Sequence, residues 1–209
     1  MKYYPVYVNI QNRKAVVIGG GRIAERKVQS LLRAGASVTV VSPELTPKLT
    51  KLKELCRICH IKACYRKKYI SGAFIVIAAT DSPLVNTKVS GDAENLVNIV
   101  DVPSLCNFIA PSVVQRGPLT ISISTSGASP AFAKTLRSEI EGLYGPEIGK
   151  YLSLMKAIRK KAMGAVKEQP AREKFLKELA SVRMLGLIRS KGFAAAKKEA
   201  LARLAALSG

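Results

Sequence analysis

The 209 residues include no tryptophan, and phenylalanine and tyrosine together bring the aromatic content to only 6%. A protein that stacks bases on aromatic side chains has little to work with here. Acidic residues are also scarce, 14 against 34 lysines and arginines, which leaves a net charge of +20. Such an excess points to an anionic partner, whether nucleic acid, a membrane surface or a polyanionic small molecule. It is spread along the chain, with 16 basic and 7 acidic side chains in residues 1–112 and 18 and 7 in 113–209. There is no basic arm or tail, and part of the charge can equally be a solvated surface. No apolar run approaches the roughly 18 residues of a membrane span. Met1-Lys2-Tyr3-Tyr4-Pro5 lacks the apolar core and small-residue cleavage site of a secretion signal. A soluble, cytoplasmic chain with no membrane partner is the expectation.

Cysteine is sparse too, four residues in a chain too long for a disulfide scaffold. Three of them, Cys56, Cys59 and Cys64, crowd around the single histidine, His60. Cys56-Arg57-Ile58-Cys59-His60 fits the C-x-x-C-H spacing of covalent haem attachment, and Cys56, Cys59, His60 and Cys64 have the ligand types of a zinc site. Against both, Cys56 and Cys59 continue the helical spacing of Leu49, Leu52 and Leu55, which favours structural thiols buried on an amphipathic helix. No metal ligand is assigned.

With 48% hydrophobic and 23% charged residues, the composition is otherwise that of an ordinary globular protein. The first half alternates strand and helix patterns. Strands are predicted at Lys14–Ile18, Ser37–Val41, Phe74–Ala78 and Val97–Val100. Helices are predicted from Ile23 to Ala34, closed by Gly35, from Pro47 to about His60, and over Leu84–Glu94. Strands that are apolar throughout, separated by helices, imply a parallel sheet covered on both faces. After about Pro111 the character changes. Leu119–Ser124 alternates as a half-solvated strand, Thr125-Ser126-Gly127-Ala128-Ser129-Pro130 is a small-residue turn, and a helix runs from Pro130 to Tyr144. Beyond Lys150 the sequence reads as helices, interrupted near Gln169-Pro170 and Gly192. The predicted class is α/β, a Rossmann-like parallel sheet over residues 1–112, a small region over 113–149 and a helical C-terminal domain over 150–209.

The strongest motif is Gly19-Gly20-Gly21-Arg22-Ile23-Ala24, a G-x-G-x-x-A run that leaves a strand and opens a helix. Gly19 permits the tight turn, Gly21 allows a pyrophosphate to approach the backbone, and Ala24 allows close helix–strand packing. The amides of the helix start, at Arg22, Ile23 and Ala24, then face the phosphates. In nucleotide folds of this kind an acidic side chain at the end of the second strand holds the adenosine ribose. Here that segment reads Ser42-Pro43-Glu44, with serine in the usual slot, Glu44 two residues on, and no arginine to favour a 2′-phosphate. NAD is the expected cofactor, with NADP not excluded. Two further segments end apolar strands: Ala78-Ala79-Thr80-Asp81 with Asn86, and Asn98-Ile99-Val100-Asp101-Val102-Pro103. Asp81 reads first as the cap of the next helix. Asp101 can be a general base or a metal ligand, or can simply cap a turn.

Taken in order, Tyr4-Pro5-Val6, the glycine run continuing into Glu25-Arg26-Lys27, Ala78–Asp81, Asn98–Asp101, Phe108-Ile109-Ala110-Pro111-Ser112 and Ile123–Pro130 resemble the siroheme-synthase family over roughly residues 1–145. The resemblance implies a precorrin-2 dehydrogenase: NAD-dependent oxidation of precorrin-2 to sirohydrochlorin, to which some members add Fe²⁺ insertion. It implies a homodimer, with the region 113–149 making the dimer contacts. The sequence ends without a methyltransferase domain and so resembles the stand-alone form. Asp101 matches the aspartate tied to catalysis in the family. The hydroxyl-rich turn at Ser124, Thr125 and Ser126 offers amides and hydroxyls for acetate or propionate groups, and would look much the same as a plain structural turn. Precorrin-2 is a polycarboxylate, as a +20 protein would favour. Two other classes stand beside this one. A non-catalytic NAD-sensing regulatory module would share the glycine loop. A nucleic-acid binder is suggested by charge alone, and no helix-turn-helix, zinc finger or aromatic-rich basic patch supports it.

Overall fold

The computed structural model describes residues 3–165 and 168–208. The chain forms two compact units, Met1–Ala110 and Pro111–Gly209. In the first, β1 (Lys14–Ile18), β2 (Ser37–Val41), β3 (Cys59–Ile61), β4 (Ile75–Ala78) and β5 (Leu96–Ile99) make one sheet in the order β3-β2-β1-β4-β5. Every pairing in it is parallel. Three helices cover it: α1 (Arg22–Arg33), α2 (Pro47–Glu54) and α3 (Pro83–Asp92).

The two-residue repeat of β1 shows why its residues are apolar without alternation. Ala15 and Val17 enter a core with Ala24 and Val28 of α1 and Leu49 of α2. Val16 and Ile18 point the other way, into a second core with Val89 of α3 and Val97 and Ile99 of β5. Val16 and Val17 have no exposed surface, and burying such a side chain contributes about 1.5–3 kcal/mol. Strand order reverses around β1, which has β2 on one side and β4 on the other. In open parallel sheets the crevice at the carboxyl ends beside such a reversal is where ligands bind.

The predicted strands and helices of this unit are found within one or two residues of the positions read from sequence, with one exception. The helix that begins at Pro47 ends at Glu54 instead of running to His60. Leu55 closes it, Cys56 takes a left-handed φ of 53°, and the chain returns to the sheet as β3. Ile58 enters the core, whereas Cys56, Cys59 and Cys64 are exposed, so Cys56 and Cys59 are not the buried helical residues expected. The leucine spacing stops at the helix end, and Cys56 and Cys59, which continue it in the sequence, lie on a turn and an edge strand. Among the described residues no three of His, Cys, Asp and Glu are grouped to hold a metal ion.

The second unit opens with an antiparallel hairpin of β6 (Ser112–Arg116) and β7 (Leu119–Ile123). Its turn needs Gly117 at a φ of 57°, and the helix that starts at Pro146 approaches so closely that a Cβ on Gly149 would meet the Arg116 carbonyl carbon at 2.7 Å. Four helices follow: α4 (Pro130–Leu143), α5 (Pro146–Ala165), α6 (Gln169–Leu179) and α7 (Val182–Ser208). Gly192 interrupts α7 at a φ of 76°, as the sequence suggested. A further break after Leu179 was not foreseen. There Ser181 accepts from Met184 N–H at 3.4 Å, and the Tyr151 hydroxyl donates to the Leu179 carbonyl at 2.9 Å. Tyr151, Ile158, Phe175, Leu179, Met184 and Ile188 form a core private to this unit. Among the described residues no helix is long and apolar enough to cross a membrane.

Candidate functional site

A cleft of about 690 Å³ opens at the carboxyl ends of β1, β2 and β4. Its floor is the glycine turn between β1 and α1. Gly19 holds a φ of 113°, and any Cβ there would collide with the Ala79 carbonyl oxygen. A Cβ on Gly20 would strike the Glu44 carbonyl oxygen and come within 2.6 Å of Ser42 Oγ. Gly20, the unspecified middle position of the motif, is therefore as constrained as Gly19. Gly21 differs: a Cβ there would meet nothing within 4 Å. It is the N-cap of α1, has extended backbone and receives no side-chain capping bond. The first-turn amides of Arg22, Ile23 and Ala24 thus lack the usual protein cap, at the positive end of a 12-residue helix. That is an anion cradle, and it fits a dinucleotide pyrophosphate. Arg22 and Ile23 line the cleft, while Ala24 is fully buried behind it against the sheet.

The second wall is the loop after β2. Ser42, Pro43 and Glu44 all line the cleft. Ser42 is 4% exposed, and its hydroxyl donates to the Glu44 carbonyl at 2.6 Å. Behind it His60 Nε2 lies 3.0 Å from the Ser42 carbonyl. A carbonyl oxygen can only accept, so Nε2 carries the proton. The one histidine is thus a brace for this wall, a role no local pattern announces. Thr46 N–H donates to the Gly20 carbonyl at 3.0 Å, tying the wall to the floor. Thr46 caps α2, and its hydroxyl donates to Glu25 of α1 at 2.9 Å, while Lys48 pairs with Glu25 at 3.2 Å. The Thr46 bond is the main reason the Glu25 carboxyl is held below the ordinary carboxylate range.

Thr80 and Asp81 form the third wall, after β4. The Thr80 hydroxyl donates to Asn86 Oδ1 at 2.8 Å, and Asn86 Nδ2 returns a bond to the Thr80 carbonyl at 3.0 Å. The cap of α3 is Ser82, which accepts from Val85 N–H at 3.4 Å. Asp81 was expected to fill that place. Instead it stands one residue earlier, exposed and in the cleft.

Asp101 does not line this cleft. It sits on the turn after β5 at a φ of 61°, solvent-exposed, with Val102 N–H donating back to Ile99 at 3.3 Å. β5 is the last strand of the sheet, and its outer edge is closed by side chains. Val97 N–H donates to Asn107 Oδ1 at 2.7 Å, and Ile99 N–H donates to Cys106 Sγ at 3.1 Å. The Cys106 thiol also lies 3.3 Å from the Ile99 and Val102 carbonyls, either side of Asp101. Asn98 Nδ2 donates to the Phe108 carbonyl at 3.1 Å. Ser124, Thr125 and Ser126 belong to the second unit, on the turn between β7 and α4. Ser124 Oγ accepts from Ser126 N–H and Thr125 Oγ1 from Ser129 N–H, both at 3.1 Å, and Ser126 has a φ of 53°.

A parallel sheet with a glycine turn beneath an uncapped helix start, at a reversal of strand order, defines a dinucleotide-binding α/β unit. Comparison with known proteins agrees. Residues 6–112 match the model of an NAD(P)-binding family and residues 116–143 that of the "Sirohaem biosynthesis protein central" family. The chain belongs to that NAD(P)-binding family, in the siroheme-synthase group that the ordered motifs resembled. It is 46% identical over 153 residues to a siroheme synthase of Methylobacillus flagellatus, a match covering 72% of this chain and 33% of the other. It is 37% identical over 202 residues to that of Actinobacillus succinogenes, covering 95% and 42%. The chain thus spans well under half the length of these curated relatives. In fold it is similar to a solved structure titled "SirC, precorrin-2 dehydrogenase", with a TM-score of 0.80 and 24% identity over 98% of this chain and 100% of that one.

Proposed function

We propose that the protein is an NAD-dependent precorrin-2 dehydrogenase that makes sirohydrochlorin for siroheme synthesis. The observation that carries this reading is the pairing of an uncapped dinucleotide cradle with a carboxylate, Asp101, on the carboxyl edge of the same sheet. Its kinship with the siroheme synthases supplies the substrate. Bound NAD⁺ supplies the hydride acceptor; the substrate gives up a hydride and one proton. The Asp101 carboxylate takes the proton, or orients the substrate that loses it. The amides of Arg22, Ile23 and Ala24 and the open face of Gly21 bind the pyrophosphate, and Ser42, Pro43 and Glu44 flank the adenosine. Thr80 and Asp81 border the remainder of the cofactor. Ser124, Thr125 and Ser126 receive acetate or propionate groups of the substrate, whose charge suits a protein at +20. In this reading the enzyme is a cytoplasmic homodimer joined through residues 113–149.

The test is absorbance at 340 nm with the purified chain, NAD⁺ and enzymatically generated precorrin-2, then Fe²⁺ or Co²⁺. NADH formation supports the dehydrogenase, and a metal-dependent spectral change above the uncatalysed rate adds a chelatase. NAD⁺ binding without NADH formation would leave a sensing module in its place.

A further inference from the structure

One charged side chain interrupts the apolar stripe of α1. Ala24, Val28 and Leu31 are buried against the sheet, and the helical repeat sets Lys27 on the same face, three residues after Ala24 and one before Val28. Lys27 is half-buried there, whereas Arg22, Arg26 and Arg33 of the same helix stand exposed. No carboxylate forms an ion pair with it among the described residues. The charged and titratable groups that influence it are Arg26 on its own helix and Asp101 and Cys106 from the turn after β5. Burial is the largest of these influences and pulls the ammonium below the ordinary lysine range, with the Asp101 charge acting the other way. The core brings the two elements to one face of the sheet as well. Val100 and Phe108, on either side of the Asp101 turn, pack against the cluster that holds Ala24 and Val28.

An unpaired, half-buried ammonium destabilises the fold that contains it. A methionine would occupy the same stripe without that cost. A residue unfavourable where it stands, within electrostatic reach of the Asp101 carboxylate at the carboxyl edge of the sheet, has the properties of one kept for a ligand. We propose that Lys27 is a substrate-binding residue, whose ammonium receives a carboxylate of the anionic substrate and holds that edge of the molecule against Asp101. This rests on the dehydrogenase reading above. Lys27 does not line the cleft over the glycine turn, so its ligand is the substrate and not the dinucleotide.

The experiment compares Lys27→Met and Lys27→Arg in the full chain by turnover, NAD⁺ affinity and thermal melting. Lys27→Met is expected to melt at the same or a higher temperature and to bind NAD⁺ as the parent does. Its KM for precorrin-2 should rise about tenfold to a hundredfold, as for loss of one charge-assisted pair. Lys27→Arg should recover most of that rise. An unchanged KM in Lys27→Met, weakened NAD⁺ binding, or a lower melting temperature overturns the assignment. The two readings fail separately: a parent chain that forms no NADH sinks the dehydrogenase, whereas an active parent with an indifferent Lys27→Met sinks only the role of Lys27.

Discussion

The turn after β1 keeps its shape because side chains are missing from it, and the turn after β5 keeps its shape through the side chains it has. At the first, Gly19 and Gly20 lie under the carbonyls of Ala79 and Glu44, so backbone touches backbone. At the second, the Cys106 thiol and the Asn107 side-chain amide take the hydrogen bonds from Ile99 and Val97 that a sixth strand would otherwise take. Backbone-on-backbone packing is intolerant of any added atom, whereas side-chain closure degrades one bond at a time. The first kind of turn suits a cradle for a dinucleotide. The second holds Asp101 in a left-handed conformation, where few residues other than glycine, asparagine and aspartate are at ease.

The comparison breaks most visibly within the glycines. Gly20→Ala should cost about 3 kcal/mol or more through overpacking, read as a large fall in the urea midpoint. Gly21→Ala has open space and should melt close to the parent, yet weaken NAD⁺ binding, because its methyl enters the cleft. Equal stability losses in the two variants would contradict the geometry. Asp101→Asn removes the charge while keeping a side chain that accepts the left-handed backbone. It should lower kcat by about a hundredfold or more, with NAD⁺ affinity unchanged by calorimetry. Normal turnover would remove Asp101 from the chemistry. Cys106→Ala leaves Ile99 N–H without its acceptor and should cost about 1–2 kcal/mol in urea unfolding, most of it regained in Cys106→Ser. Identical midpoints for the two variants would show that the thiol is not what closes the edge.

The smallest effect concerns the wall that joins the two helices. The folded carboxyl of Glu25 titrates below its unfolded value, mainly because Thr46 donates to it. Its contribution to stability is therefore fully present above the ordinary carboxylate range and lost as pH falls through the folded value. Glu25→Gln should flatten the stability–pH curve in that acid window and leave it unaltered near neutrality. A curve with the parent's slope would discount the clamp.

Strands buried on both faces were readable because their buried residues are apolar without alternation, as in β1 after Lys14 and throughout β4. β3 escaped because it has three residues and follows a leucine spacing that imitates a longer helix. β6 escaped because Val113 and Val114 adjoin, one exposed and one buried, and give no clean alternation. At the site, the glycine motif announced the cradle, and an acid after an apolar strand drew attention to Asp101. The braces were silent. His60 reaches Ser42 across 18 positions, Lys27 and Cys106 come near Asp101 only through the fold, and Glu44 acts on Gly20 through a backbone carbonyl that every residue possesses.

That carbonyl has a practical consequence for anyone wishing to convert the proposed dehydrogenase to another cofactor. The customary exchange replaces the residue at the end of the second strand with one that welcomes or repels a 2′-phosphate. Here the residue is Ser42, whose hydroxyl fixes the very loop that overlies Gly20. A redesign at Ser42 would disturb the phosphate turn along with the adenosine end. Pro43 and the exposed side chain of Glu44 offer a route that leaves the scaffold in place.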